Sequence, residues 1–174
     1  MQNIEIKAKY KDHKKLRKLV EELGCEKVGT LRQIDTYFST QKGRLKLREI
    51  NNERAELIPY FKDYSLGPMK SSYSLLESKE PEKLKEILTE ILGVVAVVDK
   101  TREVFLYQNI RIHIDVVDNL GSFMELEAVY DEKNQNAREL EEKKVNELMN
   151  KLQVSKENLL DKSYVDYLLS NESP

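Results

Sequence analysis

The sequence predicts an α+β fold, an eight-stranded antiparallel β-barrel or tunnel with a polar lumen and amphipathic helices packed outside. Three observations carry that expectation. Apolar and charged residues alternate along most extended segments, so each strand has one oily face and one ionic face. About eight such segments are interspersed with three helical stripes. Lys, Arg, Asp and Glu recur on one parity of nearly every strand, which a closed barrel turns into a lumen of both signs. The competing arrangement is an ordinary sheet whose charged face lies in water.

The first strand spans about residues 2 to 10, where Ile4, Ile6 and Ala8 alternate with Glu5, Lys7 and Lys9. Asp12 then caps a helix whose Leu16, Leu19, Val20 and Leu23 share one face and which Gly24 closes. Strands follow at about 26 to 39, 43 to 50, 53 to 61 and 70 to 77. Their turns fall at Gln41-Lys42-Gly43, at Asn51-Asn52 and over Tyr64 to Pro68. Pro81 suits a first helical position, and Leu84, Ile87, Leu88, Ile91 and Leu92 form a second stripe ending at Gly93. Strands at about 94 to 107, 109 to 118 and 121 to 130 come next, joined by Gln108-Asn109 and Asn119-Leu120-Gly121. A helix over about 135 to 152 places Leu140, Val145, Leu148, Met149 and Leu152 on one face. A turn of helix within Val154 to Leu160 and the segment Tyr164 to Leu169 end the fold. No Gly/Ser-rich linker divides the chain, so residues 1–174 are expected to form one domain.

Composition narrows the function. The 174 residues are 40% hydrophobic and 34% charged, with 29 basic residues against 31 acidic and a net charge of -2. That balance argues against a nucleic-acid binder driven by bulk positive charge. The single cysteine, Cys25, excludes an internal disulfide and a cysteine-clustered zinc site. Nothing at the start resembles a signal peptide, and the apolar run Val94 to Val98 is too short to span a bilayer. A cytoplasmic protein without membrane partners is expected.

The strand pattern groups Glu5 with Lys7, Arg54 with Glu56 and Lys62, Lys100 with Arg102, Arg111 with His113 and Asp115, and Glu125 with Glu127. One such pair is common on a solvated sheet; recurrence on nearly every strand is what points to a site. Arg grips phosphate oxygens two at a time, whereas carboxylates suit hard divalent cations. His113 is read either as a hydrogen-bond partner of phosphate or, more simply, as the neighbour of a carboxylate, Cys25 as structural, and Tyr37, Tyr60, Tyr73 and Tyr107 as packing residues.

Several stretches then read together as a family pattern: Asn3-Ile4-Glu5-Ile6-Lys7, Gln33-Ile34-Asp35-Thr36-Tyr37-Phe38, Leu45-Lys46-Leu47-Arg48-Glu49 and Arg54-Ala55-Glu56-Leu57-Ile58. Lys100-Thr101-Arg102, Arg111-Ile112-His113-Ile114-Asp115 and Leu120 to Glu127 complete it. Over nearly its whole length the chain resembles the CYTH superfamily, or triphosphate tunnel metalloenzymes, which includes class IV adenylate cyclases and thiamine triphosphatases. The resemblance implies an eight-stranded tunnel in which basic residues hold a triphosphate and carboxylates hold Mg2+ or Mn2+. Phosphate would be bound by Lys7, Lys46, Arg48, Lys100, Arg102 and Arg111, and metal by residues drawn from Glu5, Asp115, Glu125 and Glu127. Glu5, Lys62 and Lys162 form the implied catalytic set, with Lys62 also gripping phosphate and Lys162 closing the tunnel over the leaving group.

Two positions depart from the pattern. Asn3 replaces the first Glu of the E-x-E-x-K signature, and Ser71-Ser72-Tyr73-Ser74 stands where many triphosphatases carry Arg and Glu. The expected activity is metal-dependent hydrolysis of an inorganic, thiamine or nucleoside triphosphate. Adenylate cyclisation to cyclic AMP and pyrophosphate is the enzymatic alternative, and a non-catalytic nucleotide or polyphosphate binding module the third. The expected partner is a small-molecule triphosphate, not nucleic acid, and a homodimer is compatible with the sequence.

Overall fold

The computed structural model describes residues 2–62, 69–130 and 137–174. The turn expected over Tyr64 to Pro68, and residues 135 and 136 of the expected third helix, lie outside that set. In chain order the elements are β1 (Gln2–Lys9), α1 (His13–Glu22), β2 (Glu26–Phe38), β3 (Arg44–Ile50), β4 (Arg54–Lys62), β5 (Met69–Tyr73) and β6 (Leu76–Ser78). Then follow α2 (Pro81–Leu92), β7 (Val94–Tyr107), β8 (Ile110–Val117), β9 (Gly121–Tyr130), α3 (Ala137–Lys151), a 3-10 turn at Lys156–Asn158 and α4 (Tyr164–Ser170).

Every strand pairing is antiparallel. The order β3-β2-β7-β8-β9-β1-β5-β4 returns on itself because β3 also pairs with β4. This is the eight-stranded antiparallel barrel that the alternation predicts. The single strand expected over 70 to 77 is divided into β5 and β6, although both keep one register against β4, with Tyr60 opposite Tyr73 and Leu57 opposite Leu76. The break lies at Pro59. Its carbonyl accepts from the Ser74 amide at 3.2 Å, but proline has no N–H to donate in return, so the ladder lapses there.

Outside the barrel, Ile4, Ile6 and Ala8 of β1, Ile110, Ile112 and Ile114 of β8, and Met124, Leu126 and Ala128 of β9 form a continuous apolar sheet face. Leu16 and Val20 of α1 and Val145, Leu148 and Met149 of α3 pack onto it. The Asp12 side chain accepts from the Lys15 amide at 2.9 Å and starts α1 as expected. α2 sets Leu84, Leu88 and Leu92 against Phe38, Leu47 and Ala55. Its Ile87 and Ile91 stay in solvent, so the buried stripe is narrower than the sequence suggests.

α3 also differs from expectation. Leu140 is exposed while Glu141 is buried, bonded to Asn109 and Lys144, each at 2.7 Å. Leu140 precedes Val145 by five residues, or roughly 140° around the helix, so the two cannot share a face. A third cluster lies at one end of the lumen, where Tyr164, Val165 and Tyr167 of α4 pack against Tyr37, Ile58, Tyr60, Val98, Val117 and Phe123. α4 therefore stops that end of the barrel. Among the described residues, no helix is long and apolar enough to cross a membrane.

Ile112 is fully buried between sheet and helices, whereas Ile91 is 72% exposed. Urea unfolding should show Ile112→Ala destabilising by about 2–5 kcal/mol and Ile91→Ala by less than about 0.5 kcal/mol. Similar losses in both variants would contradict this packing.

Candidate functional site

The inward parity of the strands surrounds a cavity of about 370 Å3. Registers fix its layers. On β2 the inward residues run Tyr37, Asp35, Gln33, Leu31; on β7 they run Val98, Lys100, Arg102, Val104; on β3 they run Lys46, Arg48, Ile50. Each series starts near α4, passes through charge, and finishes at the opposite mouth. On β1, β8 and β9 alternation places the charges inside, because the other face carries the apolar residues beneath the helices, whereas the outer faces of β2 and β7 carry charge as well, including the Arg32–Asp99 pair.

Asp35 organises one wall. It is 1% exposed and accepts from Arg48 through both oxygens, at 2.7 and 2.8 Å, from Lys46 at 2.9 Å and from Lys100 at 3.1 Å. Burial pushes its carboxyl up, but Arg48, Lys100 and Lys46 together hold it well below the usual carboxylate range. The lysines bear the opposite strain. Burial, with Arg48 as neighbour, lowers Lys46 to about 8 against the pull of Asp35. Burial lowers Lys100 to about 7, since Asp35 is shared with Arg48 and Lys46.

A second network adjoins the first and runs from β7 through β8 and β9 to β1. Arg102 donates to both oxygens of Asp115 at 2.7 Å and to Glu125 at 2.8 Å. The Tyr164 hydroxyl donates to Asp115 at 2.8 Å, which ties α4 to the same carboxylate. Lys7 donates to Glu125 at 3.1 Å and stands 3.8 Å from Glu5. Burial works against its charge, yet Glu125 and Glu5 raise its pKa above the ordinary lysine value. Near the mouth, Glu127 accepts from Asn3 at 2.6 Å and from Arg111 at 3.1 Å, and it faces Glu5 directly across the β1–β9 ladder.

The cavity lining thus includes Glu5, Lys7, Lys46, Arg48, Lys100, Arg102, Arg111, Glu125 and Glu127 from the expected set. Asp115 does not line it; wholly buried behind Arg102, its oxygens are engaged by Arg102 and Tyr164. Lys162 does not line it either; the ammonium pairs with Glu172 on the surface, over the Tyr167 ring. Lys62 ends β4, and its side chain lies outside those described. His113 lines the wall with Nδ1 3.9 Å from Glu125, the carboxylate neighbour in one of its two expected roles, and among the described residues that nitrogen has no hydrogen-bond partner. Among the described residues, no three of His, Cys, Asp and Glu converge as a ready metal cage.

Sequence reasoning passed over Asp35, Gln33 and Tyr164 as site residues. For Asp35 a signal existed, since it lies on the inward parity of a strand that pairs with the Lys46/Arg48 strand. Tyr164 had none, because its approach to Asp115 spans 49 positions. Asp35→Ala should leave three cations without their shared counter-charge and cost about 3–5 kcal/mol in urea unfolding at pH 7. The loss should shrink toward pH 9 as Lys100 and Lys46 shed their protons; a pH-independent loss would contradict the network.

Comparison with known proteins agrees with this architecture. A Methanocaldococcus jannaschii protein that carries a provisional adenylate cyclase name is 27% identical over 173 residues, covering 95% of this chain and 98% of that one. The PH1012 protein of Pyrococcus horikoshii superposes with a TM-score of 0.82 at 21% identity, covering 94% of this chain and 98% of its own. A Hippeastrum protein, named as an adenylyl cyclase and described by a dominant triphosphatase activity, superposes with a TM-score of 0.72 at 14% identity, covering 99% and 97%. At those identities the two structures speak for the fold alone. The sequence model of the CYTH domain matches residues 1–164, which include every strand of the barrel and its charged lining, and the chain belongs to the CYTH domain family.

Proposed function

We propose that this protein hydrolyses a triphosphate-bearing substrate in its charged cavity with the help of a divalent cation. Members of the family are triphosphatases or adenylate cyclases and generally use divalent metals. The observation that supports the reading most is an excess of enclosed positive charge. Among the described residues, seven basic ones line the cavity, Lys7, Lys46, Arg48, Arg54, Lys100, Arg102 and Arg111, against five acidic ones, Glu5, Asp35, Glu56, Glu125 and Glu127. An anion entering this belt relieves repulsion that the protein tolerates without it, which is the reverse of the usual cost of burying charge.

The donor set fits a hard cation. Glu5 and Glu127 oppose each other on neighbouring strands, and directly opposed like charges destabilise a sheet unless something neutralises them. Mg2+ and Mn2+ take one or two carboxylates and complete their shells with phosphate oxygens and water, so a three-acid cage is not required. Glu5 and Glu127 would hold the metal; Asn3, whose side-chain Oδ1 is buried without a hydrogen-bond partner among the described residues, lines the same cavity. When bound, it would neutralise phosphate charge and polarise the reacting phosphoryl group.

In this scheme the residues of the chain divide the remaining work. Arg48, Lys46 and Lys100 grip phosphate oxygens from the wall held by Asp35, Arg102 from beside Lys100 on β7, and Lys7 from β1 on the other side. Asp115 and Tyr164 aim Arg102. Water adds to the terminal phosphorus, the bridging P–O bond breaks toward the diphosphate, and Glu5 accepts the proton that water loses. The cation belt stabilises charge on both the transferred and departing groups. Cyclisation in the same belt, with a ribose hydroxyl attacking the α-phosphorus, is the second reading, and the name of the Methanocaldococcus relative favours it.

Tripolyphosphate, thiamine triphosphate and ATP, each with Mg2+ or Mn2+, should be assayed for orthophosphate, pyrophosphate and cyclic AMP. Orthophosphate release is expected; cyclic AMP with pyrophosphate would establish cyclisation, and tight binding without product would establish a binding module. Glu127→Ala should lower metal-dependent turnover by at least about 100-fold while its unfolding transition stays near that of the parent protein. Full activity would remove Glu127 from the site.

Binding should also take up protons. In the free protein Lys100 titrates near 7 and Lys46 near 8, and a neighbouring triphosphate raises both. Affinity is then greatest below about pH 7 and falls as pH rises through that window. For the free fold the sign is opposite, because the unfolded lysines bind more protons between about 7 and 10.5, so this source of stability grows with pH. Calorimetric titration at pH 8 in buffers of different ionisation enthalpy should show uptake on the order of one proton per site. Net release would contradict the assignment.

A further inference from the structure

We propose that Lys46 and Lys100 form a covalent capture site for small aldehydes that carry a phosphate group, joining them as imines and so closing the cavity to its substrate. The inference rests on the cavity accepting phosphate, and it adds a modification that the hydrolytic scheme does not use. It starts from the way one carboxylate is shared. Arg48 donates to Oδ1 of Asp35 at 2.7 Å, while Arg48, Lys46 and Lys100 all donate to Oδ2, at 2.8, 2.9 and 3.1 Å. A carboxylate oxygen offers about two lone-pair sites, so three donors on Oδ2 leave one lysine poorly served. The same three cations divide a single negative charge, with Arg102 as a fourth positive neighbour. Arginine keeps its proton under such crowding, and lysine is the group that releases one.

A lysine that has released its proton is a nucleophile. Burial and crowding bring Lys100 to about 7 and Lys46 to about 8, so near neutral pH each amine carries a free lone pair for a substantial share of the time. An ordinary lysine, titrating at about 10.4, is neutral in less than about 0.1% of molecules at pH 7. Both side chains line the cavity, Lys100 3% and Lys46 12% exposed, so a reagent reaches them through the lumen. There Arg48 and Arg102 stay charged and hold the phosphate group, which keeps the attached aldehyde beside the amines. Tyr37 and Tyr60, whose rings lie 5.6 and 5.5 Å from the Lys46 ammonium, offer apolar surface to the carbon skeleton. The ammonium gives one proton to solvent, and the freed lone pair forms a bond to the aldehyde carbon. The two remaining N–H hydrogens then leave with the aldehyde oxygen as water, and a C=N bond results with no oxidant or reductant consumed.

Pyridoxal 5′-phosphate serves as the phosphorylated aldehyde, and pyridoxal as its phosphate-free control. The protein is incubated with each at about pH 7.5, the imines are reduced with borohydride to stable amines, and the labelled lysines are located by peptide mass spectrometry. Label should enter at Lys46 and Lys100 at least about tenfold faster than at Lys14, an exposed lysine of α1. Tripolyphosphate should slow it by at least about tenfold, pyridoxal should label the pair far more slowly, and the labelled protein should no longer bind tripolyphosphate in calorimetric titration. Lys46→Arg and Lys100→Arg keep the charge and remove the amine, so each should abolish label at its own position. The parent protein's peptide map decides the matter where a variant folds poorly. Label spread evenly over Lys14 and the other surface lysines, or label at the pair that tripolyphosphate does not slow, would overturn capture in the cavity. An unlabelled pair in a protein that binds tripolyphosphate would overturn it while leaving the triphosphate reading intact. Failure of both tripolyphosphate and the aldehyde to bind would overturn both.

Discussion

Like charges confined to one small interior repel each other strongly, and most of this fold is an answer to that repulsion. Lys46, Arg48 and Lys100 share the single carboxylate of Asp35, while Arg102 and Lys7 divide Asp115 and Glu125 between them. Each carboxylate sits behind or between its cations, so counter-charge stabilises the ring without filling the space at its centre. The pairing stays incomplete. Lys100 receives one contact from an already crowded Asp35, and its ammonium is correspondingly easy to deprotonate. The proposed triphosphate site relies on this condition, in which the positive groups are already oriented and already desolvated.

Such an interior requires a rigid wall. The outward faces of β1, β8 and β9 are buried under α1 and α3, so these strands are covered on one side by hydrocarbon and on the other by charge networks. Their registers cannot slip by one residue without exchanging the two chemistries, and that exchange would expose the isoleucines and bury unpaired ions. The same three strands carry Glu5, Lys7, Arg111, Glu125 and Glu127. The most firmly packed part of the molecule is thus the part that positions the acids and one pair of the cations.

α4 links the ends of this scheme. It closes one mouth with Tyr164, Val165 and Tyr167, and its Tyr164 hydroxyl reaches the carboxylate that aims Arg102. Asp166 on the same helix bonds Arg44 at the start of β3. With that end stopped by aromatic side chains, the opposite end of the cavity is lined by Leu31 and Ile50 together with Arg54, Arg111 and Glu127. The polarity of the lumen, aromatic plug to charged belt to a rim of mixed apolar and charged residues, follows from which residues each strand places at successive inward positions.

Alternation of residue type determined the strands, their inward and outward faces and the covering role of the helices, because a period of two is a local property of the chain. The ordered matches from Asn3 to Glu127 determined the family for the same reason. Helix faces were legible less completely: Leu140, Ile87 and Ile91 belong to apolar runs but point to solvent, since burial depends on where the sheet lies and not on composition alone. The partition of the acids was decided only by the closed barrel. Asp35, Asp115, Glu125 and Glu127 look alike in sequence, yet pairing across strands commits the first three to buried cations and leaves Glu127 beside Glu5 near the mouth. Charge interactions act through a few ångströms of space, and residues distant in sequence reach that range only after the strands have found their partners.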